Sequence, residues 1–108
     1  MNHETKNREE LFWALADDFL EEPGVSRGTM MGYPCLRYKG RFFACVERST
    51  GHLVVKLPSE RVRELIASGA ALAFAPNGRT FREWAAFPEG DRDEWRSLLN
   101  EARTFAGS

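Results

Sequence analysis

Three short apolar patterns, separated by turns too tight to admit a crossover, constrain this chain more than any other feature. They are Cys35-Leu36-Arg37-Tyr38-Lys39, Arg41-Phe42-Phe43-Ala44-Cys45-Val46-Glu47 and His52-Leu53-Val54-Val55-Lys56-Leu57, punctuated by Gly40 and by Ser49-Thr50-Gly51. A parallel pair needs a long connection between its strands, so these neighbours must be antiparallel. Ala71 to Ala75 and Thr80 to Phe87 read as two more strands around Pro76-Asn77-Gly78-Arg79, where Asn-Gly is a hairpin signal.

The flanking segments have helical periods. From Asn7 to Glu22, Leu11, Phe12, Leu15 and Phe19 make one stripe, and Pro23-Gly24 stops it. Ser59 reads as the N-cap of a second helix with Glu60 at its positive end, Val62, Leu65 and Ile66 as its stripe, and Gly69 as its left-handed close. Asp91 and Glu94 form a capping-box pattern ahead of Trp95, Leu98, Leu99, Ala102 and Phe105. The expected order is α-β-β-β-α-β-β-α. The expected fold class is α+β, two-layered, with a mainly antiparallel five-stranded sheet and helices on one face. At 108 residues the chain forms one domain, 1–108, with 1–6 expected to be mobile. Eight Phe and three Trp are ample for its core.

Fifteen basic residues against sixteen acidic ones leave a net charge of −1. Phosphate neutralisation demands a basic excess, so the balance argues against a general nucleic-acid binder while leaving room for a local basic face. The polar start, Met1-Asn2-His3-Glu4-Thr5-Lys6, lacks the apolar core of a signal peptide, and no apolar run reaches membrane-spanning length. The expectation is a cytoplasmic protein with no membrane contact.

Two surfaces stand out as candidate sites. The first is the glycine-punctuated segment with Gly28, Met30, Met31, Gly32 and Tyr33, which could bring backbone N–H groups to a ligand. No Gly-Lys-Ser/Thr follows and no helix begins there, so a bend positioning a strand edge is the favoured reading. The second is the outward face of the sheet. Period-2 alternation sets Leu53, Val55 and Leu57 against His52, Val54 and Lys56, and Leu36 and Tyr38 against Cys35, Arg37 and Lys39. If Arg82 and Trp84 join it, that face carries Arg37, Lys39, His52, Lys56, Arg82 and Trp84. Basic groups around an aromatic suit a phosphate, a single strand or a protein partner. A solvated face covered by Lys and Arg stems is the alternative.

Cys35 and Cys45 lack metal-site spacing. A hairpin centred on Gly40 sets them directly opposite. A two-residue Lys39-Gly40 turn shifts the register by one and sends them to opposite faces. Either way, reduced thiols are expected. No catalytic motif, metal site or cofactor-binding pattern emerges: His52 has no nearby nucleophile or acidic motif, and Asp17-Asp18 and Glu21-Glu22 read as solvated.

The run Met30-Met31-Gly32-Tyr33-Pro34-Cys35-Leu36-Arg37-Tyr38-Lys39-Gly40-Arg41-Phe42-Phe43-Ala44 resembles the signature of the TfoX N-terminal domain. There a Met-Phe-Gly-Gly stretch precedes a strand, an Asp-Gly-Lys-like turn and a Met-Phe-Ala strand. Val55-Lys56-Leu57-Pro58-Ser59-Glu60 with its helix, and Glu83-Trp84 before Phe87-Pro88, are similar to the TfoX-like and YjbR (MmcQ)-like group. The chain departs from that pattern at Met31 and Pro34-Cys35. The resemblance implies the same element order and a competence-type or DNA-binding regulator. The residues themselves favour a non-enzymatic binding module that contacts a partner protein or itself through its sheet. A DNA-binding regulator is the alternative, and a small-ligand receptor or an enzyme with a dispersed site comes third.

Overall fold

The computed structural model describes residues 3–30, 32–76 and 78–108. Helix α1 (His3–Leu20) is followed by β1 (Val25–Met30), β2 (Tyr33–Tyr38), β3 (Arg41–Val46) and β4 (Leu53–Lys56). Then come α2 (Ser59–Ala67), β5 (Leu72–Ala73), β6 (Trp84–Phe87) and α3 (Arg92–Ala106). The strands form one antiparallel sheet in the order β1-β2-β3-β4-β6-β5. The α+β class and the antiparallel arrangement are as the sequence indicates.

The sheet has six strands rather than five, because Val25–Met30 pairs along its length with Tyr33–Tyr38. In β1 only Val25 is buried. An edge strand of this kind is held by backbone pairing to one neighbour, so it carries no apolar alternation for a sequence pattern to register. Helix α1 begins at His3 and ends at Leu20, earlier at both ends than the expected Asn7 to Glu22. Met1 and Asn2 lie outside the described residues.

One layer of core fills the space between the three helices and the sheet. Phe12, Leu15 and Phe19 of α1, Val62 and Leu65 of α2, and Trp95, Leu99 and Ala102 of α3 meet Leu36, Phe43, Val46, Leu53, Val55 and Phe87. The capping box of α3 forms as read: Glu94 N–H donates to Asp91 Oδ1 at 2.9 Å and Asp91 N–H to Glu94 Oε1 at 3.0 Å. Ser59 is not the cap of α2. Pro58 holds that position, its carbonyl accepting from Val62 N–H at 3.0 Å, and Ser59 is the first helical residue. Proline lacks an N–H and has its φ fixed, so it suits the boundary better than the serine after it. Gly69, at φ +84, closes α2 with its N–H on the Ile66 carbonyl, as expected.

The last two strands are shorter than the sequence suggests, and residues 74–83 connect them. Phe81 N–H donates to the Phe74 carbonyl at 3.0 Å, and the two rings lie 5.9 Å apart. Phe74 is buried, and Gly78 N–H donates to the Ala75 carbonyl at 3.2 Å. Asn77 lies outside the described residues. Among those residues no helix is long and apolar enough to cross a membrane.

Candidate interaction surface

The second face of the sheet carries no helix, yet it is not a polar face. Directly paired residues of antiparallel strands share a face, so the registers define a row running Gly28–Cys35–Cys45–Val54–Ala86–Leu72 across all six strands. Cys35, Cys45 and Val54 are fully buried there, and Ala86 nearly so. With no helix above them, side chains supply the cover: Phe74, buried itself, and the half-buried Met30, Tyr33, Phe42, Phe81 and Trp84. Leu72, at the end of the row, is 50% exposed. A sheet face open to water normally alternates to polar residues, and this one does not.

Its composition depends on an irregularity between β2 and β3. The turn Lys39-Gly40 is a two-residue one, with both residues at positive φ (50 and 85), and Tyr38 pairs with Arg41 and Arg37 with Phe42. The register then shifts between Arg37 and Leu36, so that Leu36 meets Ala44 and Cys35 meets Cys45. Phe43 is the extra residue of this bulge. Phe42 therefore faces outward while Phe43 and Ala44 both enter the core beneath the helices. The tight turn and the opposed cysteines, alternatives in the sequence, occur together.

Both cysteines are free thiols. Cys35 Sγ donates to the Tyr33 carbonyl at 3.2 Å. The Cys45 thiol is pushed far up, first by its hydrogen bond with Cys35 and then by burial. The same hydrogen bond lowers Cys35. The apolar layer around it disfavours the thiolate and keeps Cys45 neutral.

Of the basic residues expected on this face, Arg37 and Lys56 are there. The Arg37 guanidinium lies 5.7 Å from the Phe42 ring centroid, and its Nη2 donates to the Arg27 carbonyl at 3.1 Å. Gly28 makes this possible: a Cβ at that position would sit 2.7 Å from Arg37 Nε and 3.0 Å from Phe42 Cε1. Arg37 Nε is buried and has no hydrogen-bond partner among the described residues. Lys56 is paired directly with Trp84, which places Trp84 on the outward face, and Lys56 Nζ lies 3.8 Å from Glu83 Oε1. His52 stands at the end of the β3–β4 turn beside Glu47, whose N–H donates to the His52 carbonyl at 3.0 Å. Burial holds the His52 imidazole below its usual pKa, opposed by the Glu47 carboxylate and assisted by Arg8. Tyr33 Oη donates to Glu47 at 3.5 Å, and burial followed by this carboxylate raises the phenol.

Two of the expected members are elsewhere. Lys39 occupies the turn, its ammonium 5.3 Å from the Tyr38 ring centroid, and Tyr38 packs against the helix-side core. The positive φ that a two-residue turn demands ends the strand alternation at Tyr38, so Lys39 does not follow Arg37 outward. Arg82 precedes β6 and lines a cleft beside α2 instead. The glycine-punctuated segment is not a loop that cradles a ligand. Gly28 and Met30 are strand residues paired with Cys35 and Tyr33, and Gly32, at φ +81, is a turn residue. Met31 lies outside the described residues. Phe42, Phe74, Phe81 and Glu47 are the site residues that sequence reasoning missed. The adjacent phenylalanines at 42 and 43 were the one available signal, since strict alternation cannot bury both on one face.

No group of three or more His, Cys, Asp or Glu side chains among the described residues is placed to hold a metal ion. No family model matches the chain, and no curated protein matches it.

Proposed function

We propose that this chain is a non-enzymatic binding module whose working surface is the helix-free face of its sheet, and that the occupant of that face is a second copy of the chain. The observation that carries this reading is the layer of Met30, Tyr33, Phe42, Phe81 and Trp84 left half-exposed above a dry row of Cys35, Cys45, Val54 and Ala86. Aromatic and methionine side chains on a rigid sheet, with Arg37 at the margin, have the composition of an interface centre. Two such faces stacked about 10 Å apart form an ordinary sheet sandwich. A two-fold arrangement needs only one kind of surface, and symmetric dimers are the commonest assemblies. Light scattering of the wild type and of Phe42→Glu/Trp84→Glu at high micromolar concentration tests this. The reading expects a dimer mass for the first and a monomer mass for the second, with unchanged helix content. A monomer in both cases overturns it.

A second reading has its own support. Arg37 and Lys56 stand among Tyr33, Phe42 and Trp84 on one face, a stacking platform with cations that suits single-stranded nucleic acid. The DNA-binding role implied by the resemblance to the TfoX N-terminal domain and the YjbR-like group points the same way. That kinship is itself a proposal, supported by the hairpin around Lys39-Gly40, by α2 after Pro58 and by the Trp84 strand. The net charge of −1 and the pairing of Lys56 with Glu83 weigh against it. Binding of labelled single strands that weakens steeply with salt would favour this second reading over the first.

A further inference from the structure

Helix α2, Ala73 and residues 80–82 line a cleft of about 300 Å³. Its apolar lining is Val62, Ile66, Ala73 and Phe81. Ile66 is 38% exposed although it belongs to the apolar stripe of α2. Ile66 thus offers part of its apolar surface to the cleft. The polar lining is Ser59, Thr80, Arg63 and Arg82.

The two arginines distinguish this cleft from a simple packing defect. Among the described residues, the arginines in ion pairs are Arg27, Arg48, Arg61, Arg96 and Arg103. Arg63 and Arg82 make none, as is also true of Arg37, Arg41, Arg79 and Arg92, but these two line one cleft. Two uncompensated guanidinium groups beside an apolar floor give the cleft a positive rim and no carboxylate of its own. An anion with an apolar body complements both parts. The guanidinium fork recognises carboxylate and phosphate oxygens, with the Ser59 and Thr80 hydroxyls as further donors. The volume is at the small end for ligand pockets.

We propose that this cleft is a binding site for a small apolar anion, a compound with a short hydrocarbon body and a single carboxylate or phosphate head. Phe81 belongs both to the cleft and to the layer that covers the sheet face. The site does not depend on the interface reading, since neither Arg63 nor Arg82 lies on that face.

Calorimetric titration of the purified chain with octanoate, octyl phosphate and neutral octanamide tests the assignment. Saturable binding of at least one anion is expected, with octanamide at least about tenfold weaker, the scale of one lost charge-assisted contact. The relative affinity of the two anions identifies the head group. Arg63→Ala/Arg82→Ala should weaken the anion about tenfold or more while Ile66→Ala weakens anion and amide alike. The double arginine variant should keep the wild-type mass in light scattering, so a failure here is distinguishable from a failure of the interface. Circular dichroism of each variant controls for folding. Absence of saturable binding by either anion, equal binding of octanamide, or full binding by the double arginine variant each overturns the proposal.

Discussion

Cys35 and Cys45 face each other directly across β2 and β3, although the turn joining those strands would by itself set Cys35 against Ala44. The bulge at Phe43 absorbs one residue and restores the pairing. Its effect extends beyond the thiols, because every residue of β3 after the bulge changes face with it. Cys45 joins the helix-free face, and Ala44 and Val46 enter the core. The character of the helix-free face is therefore set by one irregularity in one hairpin.

Both thiols should be inert in the folded chain. They have no solvent-exposed surface, and the Cys45 thiol is held protonated. Labelling with an aromatic disulfide reagent at neutral pH should show two slow sites in buffer and two fast ones in urea, with rates differing by about a hundredfold or more. Rapid reaction of either cysteine without denaturant would contradict the packing described.

Gly28 has ordinary strand dihedrals, and what it supplies is space. Gly28→Val should destabilise the chain by about 1–2 kcal/mol, because Arg37 and Phe42 must both move to admit the new side chain. Urea unfolding measures the cost. Replacing Gly32 by Val instead meets nothing within 4 Å, so its cost would come from backbone strain at φ +81 alone.

His52 makes stability depend on pH in a stated direction. Its folded pKa lies below the unfolded value near 6.5, so the unfolded chain binds the proton more readily. Stability is then complete above pH 6.5 and declines as the pH falls below it. Unfolding midpoints at pH 7.5 and 5.5 should differ more for the wild type than for His52→Gln. Equal differences would mean that burial against Arg8 and Glu47 does not govern this imidazole.

The capping box of α3 offers a local test. Asp91→Ala removes the acceptor for Glu94 N–H and should cost about 1 kcal/mol, read as a lower melting temperature with unchanged mass.

Much of this architecture is legible in the sequence because the core elements carry their own periods. The stripe of α3, the alternation of β4 and the box at Asp91 are local signals, and each corresponds to a structural element. β1 was not legible, since Ser26, Arg27 and Thr29 face water and Gly28 gives up its side chain to neighbours. The candidate surface was legible in half. Arg37, Lys56 and Trp84 follow from alternation, whereas Phe42 depends on the tight Lys39-Gly40 turn and Phe74 and Phe81 on a ten-residue connection, 74–83, that no period encodes. Lys39 and Arg82 lie just past the true ends of β2 and β6, where strand alternation no longer applies. Strand ends are set by turn dihedrals and tertiary packing, and a period carries no information about either.

The claim that the helix-free face is the working surface is tested most directly by backbone NMR spectra recorded over a dilution series. If the face associates with a second copy, amide signals of Met30, Tyr33, Phe42, Val54 and Trp84 should move with protein concentration while those of Asp17, Arg63 and Arg96 stay fixed. Spectra that do not change up to millimolar concentration, or changes confined to the helices, would contradict the account.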